Sequence, residues 1–266
     1  MLQERAKNVG RWVYGVGVRV GRRVIFPAAE LYKMRGIVSL EGLRAYDEMM
    51  GKARRGEHFY PSDYITIFSG IPLQFQGAEQ LQETEGGLLI VGNYCNMLPL
   101  EGLSTTILVN YALKNVLGRE ASWVVSEGKN MAKPIHSGVA ESGGNILVRG
   151  KSNRYGIPEI HQRLDDGGIV ALFPEGKENR AMAKAESTSG RIIGERVSKG
   201  DSVVGFAAFP TGEGYTLSFV GLDTEEIRKL YGNDRKRNRE SGQEIADFVM
   251  LTIARHAPGP IRGYYR

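Results

Sequence analysis

The chain has 266 residues, of which 41% are hydrophobic and 24% charged, and its formal net charge is +5 at pH 7. A chain of this size buries roughly three quarters of the surface that it exposes when unfolded, which argues against a disordered protein. Its single cysteine excludes an intramolecular disulfide, and the spacing of its four histidines offers no local zinc site. No apolar run reaches the roughly 18 residues that span a bilayer, and the N-terminus does not read as a secretory signal. We therefore expect a cytoplasmic protein without a protein-built metal site.

Residues 1–65 are predicted to form a basic, helical N-terminal region. Basic side chains are interleaved with aromatic and aliphatic ones from Arg5 to Phe26. This mixture suits an anionic membrane surface, where each cation adds about 1 kcal/mol, although a basic helix packed on the core has the same pattern. We expect this surface, and not nucleic acid, as the partner, with the protein peripheral on the cytoplasmic face of a membrane. Farther along, apolar residues at helical spacing predict an amphipathic helix from Ser39 to Arg55, capped by Ser39.

Residues 66–266 are predicted to form one α/β domain. Short apolar runs bounded by glycine or charge have the length of strands that are buried on both faces. These runs are Leu88–Val91, Ser122–Val125, Asn145–Val148, Ile169–Phe173, Val203–Phe209 and Tyr215–Val220. Helical patterns cover Leu100–Leu117, Ile157–Leu164, Thr188–Val197 and Glu244–His256. Strands that alternate with helices predict a three-layer sandwich with a mostly parallel central sheet flanked by helices.

Three loops that follow predicted strands carry unusual polar content. In open parallel sheets, ligands bind where strands end and the following loops begin. The loops after Asn145–Val148 and Ile169–Phe173 concentrate cations that suit a phosphate ester. These cations are Arg149, Lys151, Arg154, Lys177 and Arg180. We expect an anionic substrate, bound in one cleft where the loops of three neighbouring strands meet.

The three loops resemble, in order and spacing, the sequence boxes of a known family. The first contains Asn93 directly after a strand, the second runs from Gly144 through apolar residues to Arg149, and the third is Phe173–Gly176, which reads Phe-Pro-Glu-Gly. This arrangement is similar to the lysophospholipid and glycerophosphate acyltransferase family. The resemblance extends from about residue 65 to about residue 222.

The resemblance implies an acyltransferase of glycerophospholipid metabolism. Members of that family transfer a fatty acyl group from acyl-CoA or acyl carrier protein to a hydroxyl of a phosphate-bearing or lipid acceptor, and no cofactor is implied. By the same resemblance Arg149 contacts the acceptor phosphate, and Glu175 and Gly176 shape its pocket. The predicted substrate-binding residues are Asn93, Arg149, Lys151, Glu175, Gly176, Lys177 and Arg180.

The first box departs from the family pattern at both catalytic positions. Tyr94 stands where the family has the histidine that takes the proton, and Pro99 stands where it has the aspartate. Tyrosine has an ordinary pKa of about 10, and a general base contributes about 10²–10⁴-fold in rate. We name Tyr94 and Glu101 as catalytic candidates, and His136 and Cys95 remain open as base or nucleophile. The alternative function is a non-catalytic lipid-binding pseudoenzyme or partner subunit.

Overall fold

The computed structural model describes residues 39–82, 86–94, 102–126, 140–148, 156–176, 181–212, 214–232 and 238–266. Its strands are β1 (Leu73–Gln76), β2 (Leu88–Gly92), β3 (Ser122–Ser126), β4 (Ile146–Val148), β5 (Ile169–Leu172), β6 (Ser202–Thr211) and β7 (Gly214–Gly221). Its α-helices are α1 (Leu40–Arg55), α2 (Gly102–Leu117), α3 (Gly156–Asp165), α4 (Ser187–Ser198), α5 (Thr224–Tyr231) and α6 (Asn238–Arg255). Short 3₁₀ segments cover Pro61–Phe68, Ala78–Gln80 and Gly263–Tyr265. The basic stretch from Arg5 to Phe26 lies outside these ranges.

The seven strands of the described chain form one sheet in the order β1-β7-β6-β2-β5-β3-β4. Strands β6, β2, β5, β3 and β4 are parallel, whereas β7 is antiparallel to β6 and parallel to β1. The predicted mostly parallel sheet flanked by helices is confirmed. The expectation that β2, β5 and β4 are neighbours is wrong in one respect. Strands β2 and β5 pair directly, but β3 separates β5 from β4, which lies at the edge of the sheet.

Helices cover both faces of the sheet. Successive side chains of a strand point to opposite faces, so a continuous apolar strand places apolar side chains on both faces, and helices bury them. In β2, Leu88 and Ile90 join the core formed with α1, α2 and the segment Pro61–Phe68. Leu89 and Val91 join the second core, which is formed with α3, α4, α5 and α6. This arrangement explains why β2 reads as a continuous apolar run in the sequence.

Helix α1 is the amphipathic helix predicted from Ser39, and this prediction is confirmed. The Ser39 side chain accepts a hydrogen bond from the backbone N–H of Gly42 at 3.0 Å, and the helix ends at Gly56 in a left-handed conformation. Its apolar face, which includes Tyr46 and Met49, packs into the first core.

A domain boundary at residue 65 stays a prediction. In the ranges given above, no helix has the length and apolar character needed to cross a bilayer.

Candidate functional site

The candidate site lies at the carboxyl ends of the neighbouring central strands β2 and β5. Val91 pairs with Leu172 in the parallel ladder, so the loops that follow the two strands leave the sheet at the same level. The backbone N–H of Tyr94, just beyond β2, donates to Oε1 of Glu175 at 2.9 Å. The structure therefore brings the first and third boxes into direct contact.

Glu175 is a buried carboxylate, with only 3% of its surface exposed. A buried charge is strongly unfavourable unless hydrogen bonds compensate it, and here backbone donors do so. Its Oε2 accepts from the N–H of Ala183 at 2.6 Å, while its Oε1 accepts from Tyr94. The carboxylate thus joins the loop after β2, the turn after β5 and the segment 181–186.

The Phe-Pro-Glu-Gly turn is held by its own backbone and by the start of α4. The N–H of Gly176 donates to the carbonyl oxygen of Phe173 at 3.1 Å, and Gly176 has φ = 62°, a left-handed conformation that favours glycine. The carbonyl oxygen of Pro174 accepts from the N–H of Glu186 at 2.8 Å and from the hydroxyl of Ser189 at 3.3 Å. These contacts fix the direction from which Glu175 enters the site.

Asn93 links the end of β2 to β6 through both ends of its side-chain amide. Its Nδ2 donates to the carbonyl oxygen of Ala208 at 2.9 Å, and its Oδ1 accepts from the N–H of Ala208 at 2.7 Å. The side chain, which is 2% exposed, thereby continues the strand ladder beyond Gly92. This contact orients the chain that leads into Tyr94, and a role for Asn93 in binding substrate stays a prediction.

Four aromatic rings form an apolar wall beside the hydrogen bond between Tyr94 and Glu175. This aromatic wall consists of Tyr94, Phe173, Trp123 and Phe206. The ring of Tyr94 stacks on Phe173 with 4.2 Å between centroids and 9° between planes. Phe173 in turn contacts Trp123 at 4.8 Å and Phe206 at 6.2 Å. The Nε1 of Trp123 is buried and finds no hydrogen-bond partner in the described part of the chain. Trp123 and Phe206 are buried in the first core, so of these four rings only those of Tyr94 and Phe173, which are partly exposed, can offer apolar surface to a ligand.

The structure brings together four of the predicted site residues, which are Asn93, Tyr94, Glu175 and Gly176. Glu101, Arg149, Lys151, Lys177 and Arg180 lie outside the described residues, as do Cys95, Pro99 and His136. Strands β2 and β4 are separated by three strand spacings, or about 14 Å, and Arg149 directly follows β4. Across the residues that the structure describes, no cluster of three or more His, Cys, Asp or Glu side chains could hold a metal ion.

The sequence did not indicate the aromatic wall or the N–H of Ala183 as parts of this site. One signal for the wall was present in the glycine that ends β2. A Cβ atom on Gly92 would lie 2.2 Å from the ring of Phe206, so this position admits only glycine beside the wall. No comparable signal marks Ala183, because its hydrogen bond to Glu175 comes from the backbone N–H, which every residue except proline has.

Comparison with known proteins gives structural similarities at low sequence identity. No protein-family model matches the chain, and no curated protein matches it. The 1-acyl-sn-glycerophosphate (LPA) acyltransferase PlsC from Thermotoga maritima is similar over 92% of this chain and 95% of its own, with 14% identity and a TM-score of 0.45. The Legionella pneumophila ATPase DotB is similar over 73% of this chain and 66% of its own, with 10% identity and a TM-score of 0.32. Neither similarity establishes a family or an activity for this chain.

Proposed function

We propose that this chain is an acyltransferase-like protein of glycerophospholipid metabolism. It moves a fatty acyl group from acyl-CoA or acyl carrier protein to a hydroxyl of a phosphate-bearing or lipid acceptor. One observation carries the proposal, namely the 2.9 Å hydrogen bond from the N–H of Tyr94 to Glu175. This bond supports the proposal because it joins two of the three boxes that resemble the family, at the carboxyl ends of β2 and β5.

The proposed chemistry needs a phosphate site, a base and an apolar surface for the acyl group. The acceptor oxygen attacks the thioester carbonyl carbon, its proton passes to a base, and the carbon–sulfur bond breaks to release a thiol. Arg149 would bind the acceptor phosphate, because a guanidinium group pairs with phosphate through two hydrogen bonds. Tyr94 and Glu101 are the proposed bases, and the partly exposed rings of Tyr94 and Phe173 would supply apolar surface for the acyl group.

A second candidate function is a lipid-binding protein without catalysis. The observation that favours it is the position of Tyr94, which replaces the family histidine and stacks on Phe173 as part of the aromatic wall. A phenol with an ordinary pKa of about 10 is a poor base near pH 7. Under this function Arg149 and Glu175 would bind a phospholipid-sized ligand without turning it over.

An assay of thiol release separates the two functions. Purified protein supplied with acyl-CoA and glycerol 3-phosphate or lysophosphatidate should release free thiol only when both substrates are present. Arg149→Ala should raise the KM for the acceptor about 10–100-fold, since a hydrogen bond to a charged group contributes about 1.5–3 kcal/mol. Arg255→Ala, at an exposed position at the end of α6, is the matched control and should leave KM unchanged.

If the protein releases no thiol, its binding of lysophosphatidate decides whether the second function holds. Binding of lysophosphatidate without turnover would support the second function, and Tyr94→His combined with Pro99→Asp should then create turnover. Absence of both binding and turnover would show that the lipid assignment is wrong.

We also propose that the basic N-terminal region attaches the protein to the cytoplasmic face of a membrane. Deletion of residues 1–28 should weaken binding to vesicles that contain anionic lipid, because it removes the cations between Arg5 and Phe26. Vesicles of zwitterionic lipid serve as the control, and added salt should reduce the difference between the two vesicle types. Equal binding by the shortened and full-length chains would contradict this attachment.

A further inference from the structure

The segment 181–186, which donates to Glu175, is itself held by the segment 261–265. The N–H of Met182 donates to the carbonyl oxygen of Ile261 at 2.8 Å. The N–H of Tyr264 donates in return to the carbonyl oxygen of Met182, also at 2.8 Å. Segment 261–265 follows α6 in the chain, so residues far from the three boxes form part of the support for the site.

The side chain of Tyr265 makes the second connection to segment 181–186. Its hydroxyl accepts from the N–H of Ala185 at 2.8 Å and donates to Oδ1 of Asp247, on α6, at 2.8 Å. Gln243 supports both partners, because its Nε2 donates to Oδ1 of Asp247 at 3.0 Å and to the carbonyl oxygen of Ala185 at 3.2 Å. Burial raises the pKa of the Tyr265 hydroxyl, and the Asp247 carboxylate raises it further, so the group stays protonated and remains a donor.

Ala183 lies between these two connections. Met182 is fixed on one side and Ala185 on the other, which directs the N–H of Ala183 at Oε2 of Glu175 at 2.6 Å. Glu175 uses its other oxygen to hold the N–H of Tyr94. A continuous series of hydrogen bonds and short backbone links therefore runs from Tyr265 to the proposed catalytic loop.

We propose that Tyr265 is a positioning residue of this site. Its hydroxyl fixes segment 181–186, the N–H of Ala183 then fixes the carboxylate of Glu175, and that carboxylate fixes the backbone at Tyr94. The importance of this series for catalysis rests on the proposed function. The series itself is testable without any turnover.

Tyr265→Phe is the test variant because it keeps the buried ring and removes only the hydroxyl. The N–H of Ala185 then loses its acceptor inside the protein. Tyr264→Phe is the matched control, since it makes the same change one residue earlier at a side chain that is 59% exposed. The backbone bond from Tyr264 to Met182 remains in both variants.

Residue-resolved amide hydrogen exchange, measured by NMR, tests the series directly. In Tyr265→Phe the amides of Ala183 and Tyr94 should exchange about tenfold faster than in the native chain, the size expected for the net loss of one hydrogen bond. Tyr264→Phe should leave both amides unchanged. The amide of Ile90, in the centre of β2, reports global unfolding and should change less than the other two. If only Ala185 exchanges faster in Tyr265→Phe, or if Ile90 changes as much as Tyr94, the proposal is overturned.

Kinetics give a second test if the native chain releases thiol. Tyr265→Phe should lower kcat/KM by about tenfold, mainly through a higher KM for the acceptor, because Glu175 belongs to the acceptor pocket. The KM for the thioester donor should not change. A uniform fall in kcat with both KM values unchanged would indicate only a smaller fraction of folded protein and would overturn the positioning role. If the native chain shows no turnover, the enzyme assignment fails, and the amide exchange still decides whether Tyr265 holds the site.

Discussion

Replacement of Arg196 by methionine should lower the free energy of unfolding by about 3–5 kcal/mol, as expected when one partner of a buried ion pair is removed. Arg196, in α4, is only 2% exposed. Its Nε donates to the carboxylate of Asp201, and its Nη1 donates to Oδ1 of Asp165 at 2.6 Å. Asp201 is buried as well, and its other oxygen accepts from the N–H of Gly87 at 3.1 Å.

The loss is large because the remaining carboxylate stays buried. With methionine at position 196, Asp201 keeps its bond to Gly87 but has no compensating positive charge. The affected contacts lie where β2 and β6 begin, so they join α4 to two central strands of the sheet. Denaturant unfolding of the native chain and the Arg196→Met variant measures the difference.

Two further variants separate burial from charge. Lys199→Met removes a lysine that is half exposed and pairs with Glu195 at 3.0 Å, and it should change stability by less than about 1 kcal/mol. Adding Asp201→Asn to Arg196→Met should recover part of the loss, because asparagine keeps an acceptor for Gly87 without a buried charge. A loss below about 1 kcal/mol in Arg196→Met would mean that the pair contributes no more than a surface ion pair.

Much of the sheet was predictable because its central strands are buried on both faces. Such strands read as continuous apolar runs, and β2 and β5 were predicted within one residue of their bounds. Strand β1 was missed because its four residues, Leu73–Gln76, alternate between half-buried and exposed, and glutamine occupies every second position. Helix α5 was missed because it is short and buries only Ile227, although Asp223 supplies a side-chain cap that the sequence shows.

Only those parts of the site that local sequence patterns indicate could be predicted. The boxes placed Tyr94 and Glu175 in loops after strands, and the pairing of β2 with β5 brings these loops together. The sequence did not reveal that β3 separates β5 from β4, because strand order depends on how helices cross the sheet and not on local pattern. The contact of Tyr265 with Ala185 joins residues 80 apart in the chain. No spacing rule indicates such a contact.

A single methyl group at Gly190 should destabilise the protein by about 3 kcal/mol or more, at the upper end of the range for overpacking. In Gly190→Ala the new Cβ would lie 1.8 Å from the carbonyl oxygen of Gly242 and 2.8 Å from the N of Ala246. These are backbone atoms of α6, so no side-chain rotation relieves the contact and the two helices must separate. Alanine favours an isolated helix over glycine by about 1 kcal/mol, which makes a net loss a clear sign of the steric contact.

Gly51→Ala is the matched control for this substitution. Gly51 lies inside α1, and its new Cβ would meet only the end of the flexible Arg55 side chain, at 3.2 Å. This variant should be neutral or more stable by up to about 1 kcal/mol. Separation of α4 from α6 should also move Ser189 away from the carbonyl oxygen of Pro174, so Gly190→Ala should loosen the turn that carries Glu175. Thermal unfolding compares the two variants, and equal midpoints would show that α4 and α6 do not meet at their backbones.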